Sequence, residues 1–214
     1  MTDKIKPFIL ITLTCLIVAI LNINALSQTP NQKAYKNATD VHPILVGSNL
    51  PDVEVTTTGN ETITLKQYTQ GKPTVFVFYR GNWCPFCTKH LGQLQSLFPE
   101  LKKLGYNIAA IGPGSAKNIL ALRKKKSLAY ALLGDPDMAV AKAFGIAFEI
   151  PENKNAKYGK LTKKFAQSTK QPLLPVPSVF VADKQGKIVF QHVDPNYRVR
   201  LPSAVLLAVA KAYQ

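Results

Sequence analysis

Acidic side chains are scarce in this sequence: 12 Asp and Glu stand against 27 Lys and Arg, for a formal charge of +15. Such an excess fits an anionic membrane, a polyanion or an acidic partner. Its distribution favours a plainer reading, because the basic residues gather at Arg123-Lys124-Lys125-Lys126 and between Lys154 and Lys170, as on a solvated helix end and a loop. No nucleic-acid recognition motif accompanies them, and no nucleic-acid partner is expected. Cysteine is scarce too, three in 214 residues, which excludes a disulfide-built scaffold. Histidine is limited to His42, His90 and His192, and with the cysteines these give no recognised zinc spacing. No metal and no other cofactor is expected. There is no internal repeat. The chain is 46% hydrophobic and 18% charged, at a length suited to one well-packed domain, which excludes disorder as its main state.

The one long apolar run, residues 8–21, falls short of the roughly 20 residues that span a bilayer. Polar Asp3, Lys4 and Lys6 precede it. Residues 22–27 follow, with Ala25 and Ser27 in an A-x-A-like arrangement. This is the pattern of a secretory signal cleaved near Ser27–Gln28. Residues 1–27 are read as a signal peptide, 28–44 as a flexible lead-in and 45–214 as the folded domain. The implied location is periplasmic or otherwise outside the cytoplasm. The alternative is an uncleaved anchor facing the same side, which would be the chain's one tie to a membrane. Cleavage removes two basic residues and one acidic one, leaving +14. It also removes Cys15, so the mature chain keeps Cys84 and Cys87.

Those two thiols sit in the run VFVFYRGNWCPFCTKHLGQL. Residues 75–79 read as a buried strand, Gly81-Asn82 as a turn, and a helix is predicted from Pro85 to about 104. Cys87, Leu91, Leu94, Phe98, Leu101 and Leu104 recur on one face of it. Pro99 should kink or restart it. Elsewhere the patterning predicts a strand pair at 52–57 and 62–65 about a Gly59-Asn60 turn, then a connector at 66–71. A strand at 106–111 and a helix from a Ser115 N-cap to 126 follow. Next come a short strand at 129–133 and a helix from Asp135-Pro136-Asp137 to 144. Residues 151–171 read as irregular. A hairpin at 179–182 and 187–192 and a helix at 202–213 close the chain. This βαβαβαββα order implies an α/β fold with a central mixed β-sheet and helices on both faces.

Two thiols three residues apart in an exported chain make a poor staple, because the loop they close is tiny. A catalytic pair is the better reading. The thiolate is the reactive form, and three features favour it. Cys84 lies at the helix N-cap, where unpaired N–H groups and the dipole favour negative charge. Pro85 fits the first helical position and has no N–H to leave unpaired. No acid occurs between Glu61 and Glu100, whereas Lys66, Lys72, Arg80, Lys89 and His90 do. Cys87, one turn in, can attack a mixed disulfide or sulfenic acid on Cys84, or the roles can be reversed. Trp83 offers a flat apolar shoulder to a substrate. His90 reads as a solvated helix residue rather than a base.

The run also resembles the W-C-x-x-C signature of the thioredoxin fold. The wider chain is similar to the AhpC/TSA (peroxiredoxin-like) branch of that superfamily. The stretches FYRGNWCPFCTKHLGQLQ, LGDPDMAVAKAFGI, LPVPSVFVADKQGKIVF and HVDPNYRVRL carry the resemblance, over about residues 45 to 213. It implies a thioredoxin-like fold with Pro177 as a cis-proline facing the pair. Two departures stand out. The peroxiredoxin pattern P-x-x-x-T/S-x-x-C places its peroxide-attacking Cys on Cys87, its Thr on Cys84 and its Pro on Arg80. Its activating Arg falls on Pro177, which leaves Arg80, Arg198 and Arg200 as candidates to supply a guanidinium. The buried acid of thioredoxins falls on Phe78, so no base for the second thiol is identified.

Two activities follow from the resemblance. One is a thiol-dependent antioxidant peroxidase that reduces hydroperoxides through Cys84 and Cys87 and is regenerated by a thioredoxin-like dithiol donor. The other is an exported thioredoxin-like thiol–disulfide oxidoreductase acting on protein disulfides. A copper or thiol carrier, or a holdase, would need a ligand set that the sequence does not show. The thioredoxin analogy makes Cys84 the nucleophile, as the more exposed thiol. The peroxiredoxin alignment points to Cys87.

Overall fold

Strand Thr74–Phe78 (β3) has no polar face: every residue in it is buried. A strand of this kind needs cover on both sides, and the chain supplies it. The structure, a computed structural model, describes residues 33–150 and 172–214, all within one compact unit. The predicted signal at 1–27 and the irregular segment 151–171 lie outside these residues. Among those described, no helix is long and apolar enough to cross a membrane.

Seven strands form one sheet. They are Glu54–Thr56 (β1), Thr62–Thr64 (β2), β3, Asn107–Gly112 (β4), Ala131–Gly134 (β5), Ser178–Ala182 (β8) and Ile188–Val193 (β9). Their spatial order is β2-β1-β5-β4-β3-β8-β9. β3, β4 and β5 run parallel, and the remaining pairs are antiparallel. Parallel neighbours require crossovers, which are the helices Pro85–Lys103 (α2) and Ala116–Lys125 (α3). The expected mixed sheet with helices on both faces is what forms.

Side chains of β3 alternate between two cores. Val75, Val77 and Tyr79 face α2, α3 and the C-terminal helix Ser203–Ala212 (α5), with Leu91, Leu94, Leu101, Ile119 and Leu206. Phe76 and Phe78 face the other way, into a cluster with Phe144 and Phe180 whose ring centres lie 4.9 to 6.1 Å apart. The short helices Leu65–Thr69 (α1) and Ala139–Ala143 (α4) cover that second face.

Four expectations are corrected. First, α2 runs through Pro99 without a break. Pro99 is exposed, and its missing N–H removes one bond of the helix. Second, the connector at 66–71 contains α1. Its capping box is complete, with the Gln67 N–H donating to Thr64 Oγ1 at 3.1 Å and the Thr64 N–H to Gln67 Oε1 at 2.8 Å. Third, α4 starts only at Ala139. The buried Asp135 carboxylate still accepts from the Val140 and Ala141 N–H groups at 3.1 and 2.9 Å. Fourth, the lead-in is tied down from Lys33 onward. Tyr35 exchanges 2.8 Å backbone bonds with Ala147 and Glu149, and Val41 and Ile44 pack on the second core. The strands that receive it, Ala147–Glu149 (β6) and Leu173–Pro175 (β7), form a separate antiparallel pair.

The lead-in passes so close to Gly145 (φ +68°) that a Cβ there would strike the His42 carbonyl. Gly145→Ala should cost about 2–4 kcal/mol, since both the backbone conformation and the space oppose it. Gly92, exposed in α2 with open space around its Cα, should gain about 0.5–1 kcal/mol on replacement by Ala. Urea midpoints for the two variants check this. A Gly145→Ala midpoint equal to that of the parent would show that the lead-in is not docked.

Candidate active site

β3 delivers the chain to the site. Beyond Phe78 the Tyr79 N–H still donates to the Ile111 carbonyl at 3.0 Å, and the chain then enters a turn from Gly81 through Asn82-Trp83. Gly81 (φ +137°) is required there, because a Cβ would overlap the Trp83 indole. The Cys84 N–H closes the turn on the Gly81 carbonyl at 3.2 Å. Cys84 is the N-cap of α2 and Pro85 its first residue, as the sequence implied. The Cys87 N–H, an end group with no partner inside the helix, donates to Cys84 Sγ at 3.4 Å.

The two sulfurs lie 2.6 Å apart, with the Cys87 thiol donating to Cys84. Each cysteine is only 1% exposed, so Cys84 is not the more accessible thiol. What separates them is charge. Cys84 is lowered from 9.0 to about 6, chiefly by the bond from the Cys87 side chain, then by its N–H and by the positive charges of Arg80 and Arg200; burial opposes. Cys87 is pushed well above the ordinary thiol range by its bond to Cys84, by burial and by the Cys84 charge. The Arg80 backbone N–H and the Arg200 charge pull it the other way. The pair thus holds one negative charge near neutral pH, centred on Cys84.

Two of the three candidate arginines reach this pair. Arg80 is buried, its guanidinium 5.1 Å from the Trp83 ring centre and 4.5 Å from that of Tyr197. Arg200 donates to Cys87 Sγ at 3.4 Å and is held by the carbonyls of Tyr197 and Val199 at 2.6 and 2.5 Å. Arg198 is exposed and lies over the Tyr197 ring at 5.1 Å. Tyr197 itself is a site residue that sequence reasoning missed. Its ring also meets Phe86 edge-on at 5.8 Å. The motif DPNYRVR contains it, but it was read only for its arginines.

Two further expectations are corrected. The described residues contain no cis peptide bond, so Pro177 follows a trans bond. Val176 is extended between β7 and β8 and donates to the Ile146 carbonyl at 2.9 Å, a path that the intrinsically favoured trans isomer serves. Pro177 does sit at the correct end of the sheet. Its neighbour Ser178 pairs with Phe78, and Pro177 lines a cavity of about 260 Å³ together with Arg80, Tyr197, Phe148 and Leu174. His90 is buried, not solvated, and burial pushes its pKa down to about 4 with the Arg200 and His192 charges adding to the shift. Among the described residues, no group of three His, Cys, Asp or Glu side chains could hold a metal.

Comparison with known proteins matches residues 46–191 to the model of the AhpC/TSA family. A putative peroxiredoxin bcp of Haemophilus influenzae is 30% identical over 106 residues, covering 50% of this chain and 68% of that one. The thiol–disulfide oxidoreductase ResA of Geobacillus thermodenitrificans is 25% identical over 151 residues, 70% of each chain. Among solved structures, peroxiredoxin Q of Xanthomonas campestris superposes with a TM-score of 0.61 at 26% identity, covering 78% of this chain and 98% of that one.

The charge asymmetry can be titrated. Thiolate absorbance near 240 nm should rise as pH increases through about 6 in the reduced protein. Cys84→Ser should abolish that step, and Cys87→Ala should move it upward by removing the thiol donor. Because the folded value lies below the ordinary 9.0, this thiol adds stability that is complete at alkaline pH and is lost as pH falls through about 6. A step near 6 that survives in Cys84→Ser would place the charge on Cys87 instead.

Proposed function

The chain belongs to the AhpC/TSA family, and from that premise we propose that it is a thiol peroxidase whose Cys84 is the peroxide-attacking thiolate. The carrying observation is the low pKa of Cys84 with Cys87 protonated against it. The Cys84 thiolate attacks one oxygen of a hydroperoxide and the O–O bond breaks. The departing alkoxide or hydroxide takes a proton and leaves as alcohol or water. Cys84 is then a sulfenic acid. Cys87 attacks that sulfur, the S–O bond breaks, and hydroxide leaves with the proton that Cys87 gave up. The product is a Cys84–Cys87 disulfide and water. A thioredoxin-like dithiol donor returns the pair to its reduced state.

The protein works outside the cytoplasm in this reading. The polar, apolar and small-residue regions of residues 1–27 support an export signal, and an uncleaved anchor is the alternative. The family match begins at residue 46, after the segment read as signal and lead-in. A second activity, exchange with protein disulfides, is favoured by the C-x-x-C spacing and by the likeness to ResA.

Trapping with a sulfenic-acid-selective carbon nucleophile tests the assignment. Cys87→Ser treated with one equivalent of hydrogen peroxide should acquire the adduct on Cys84. Cys84→Ser should acquire it at least about a hundredfold more slowly, since it lacks the low-pKa thiol. Adduct formation confined to Cys87 in the Cys84→Ser protein would reverse the roles.

A further inference from the structure

The second chemical step raises a problem that the first does not. Cys87 is held protonated in the reduced protein, yet it must become a nucleophile once Cys84 is oxidised. The sequence offers no acid behind it, since the position that would carry one is Phe78, buried among aromatic rings.

Two changes accompany oxidation of Cys84. The thiolate that accepted the Cys87 proton is consumed, and with it goes the charge that opposed a second thiolate. What stays beside Cys87 is Arg200. Its Nη2 donates to Cys87 Sγ at 3.4 Å, while its Nη1 is fixed by the Tyr197 and Val199 carbonyls. Three protein contacts hold the guanidinium on a loop after β9, so it is in place before the reaction begins.

Other groups face this corner without supplying the same charge. His90 lies one turn along α2 from Cys87 and is buried. His192 on β9 pairs with Val179, which belongs to the same core as Cys87, so its ring projects to this side of the sheet. Both imidazoles are held below their ordinary pKa by burial and by Arg200, although Asp194 draws His192 partly back. Both are therefore neutral at pH 7. Tyr79 is buried and its hydroxyl stays protonated. Arg80 places its side chain between Trp83 and Tyr197, and its charge acts on Cys84, as does that of Arg200; the guanidinium that donates to Cys87 Sγ is Arg200.

We propose that Arg200, through its contact with Cys87, stabilises the Cys87 thiolate that closes the disulfide. This rests on Cys84 as the first nucleophile. In the closing step Cys87 loses its proton, the new S–S bond replaces the S–O bond on Cys84, and hydroxide leaves with that proton as water. Arg200 is not consumed. It lowers the cost of the transient negative charge on Cys87 through a charge-assisted hydrogen bond.

Stopped-flow fluorescence of Trp83, the single tryptophan, separates the steps under excess hydrogen peroxide. The first phase scales with peroxide concentration and the second does not. Arg200→Met should slow the second phase about tenfold more than the first, the effect expected from losing one charge-assisted bond. Its pH profile for the second phase should also shift to higher pH, and Arg200→Lys should recover part of the loss. Equal slowing of both phases with an unmoved profile would reduce Arg200 to a scaffold residue and overturn the proposal. Greater slowing of the first phase would assign it to Cys84, with the same result. Sulfenic-acid trapping on Cys87→Ser, run in parallel, keeps these failures distinct: adduct on Cys84 leaves the peroxidase assignment standing. Adduct only on Cys87 of Cys84→Ser removes the assignment and the Arg200 role together.

Discussion

One proton shared between two buried sulfurs governs this molecule. An isolated thiol as buried as Cys84 would have a raised pKa, because burial penalises the thiolate. Cys84 escapes that because Cys87 donates to it, the first turn of α2 offers an N–H, and two guanidiniums lie nearby. Each support depends on the fold. The helix N-terminus is there because β3 ends just before the Asn82-Trp83 turn, and β3 is there because parallel β4 and antiparallel β8 enclose it. The same contact makes the pair asymmetric, giving one thiolate ready to react and one thiol in reserve.

The family supplies the scaffold, and the resemblance read from the sequence implies two departures from its pattern. Cys84 stands where the usual pattern has Thr or Ser, so the group next to the second cysteine is itself a redox centre. Pro177 stands where the usual activating Arg would be, and positive charge enters from elsewhere: Arg80 after β3 and Arg200 after β9. Charge near a sulfur acts through distance and burial, not through chain position. A site can therefore keep its electrostatics while every residue that supplies them moves. Tyr197 ties the two arginines together, with its ring against Arg80 and its carbonyl on Arg200.

Much of this was legible in the residues. The apolar run at 75–78, the period of α2 and the hairpin at 179–182 and 187–192 were strong local signals, and the mixed sheet followed from their order. The place of the Cys-x-x-Cys pair at the helix N-cap was likewise readable, and of the three candidate arginines, Arg80, Arg198 and Arg200, it is Arg80 and Arg200 whose charges act on the pair. What escaped depended on long-range packing. β6 and β7 have three residues each, too few for a periodicity, and exist because they pair with each other and Tyr35 pairs with β6. α1 did leave a signal, the capping pattern Thr64-Leu65-Lys66-Gln67, which was overlooked. His90 looked solvated because its burial comes from a remote strand and from the loop carrying Arg200. The isomer at Pro177 was set by analogy with thioredoxin, whereas the backbone around Val176 takes the extended trans path.

A thiol pair with one sulfur charged and the other protonated against it is suited to meet peroxide. The most direct measurement is the second-order rate at which the reduced protein is oxidised by hydrogen peroxide, set beside free cysteine at equal pH and beside oxidation of the reduced protein by an intramolecular protein disulfide. Peroxide should oxidise the pair far faster than it oxidises free cysteine, ending in a Cys84–Cys87 disulfide. A rate no greater than that of free cysteine, with rapid exchange against the protein disulfide, would contradict it and leave a thioredoxin-like exchange enzyme.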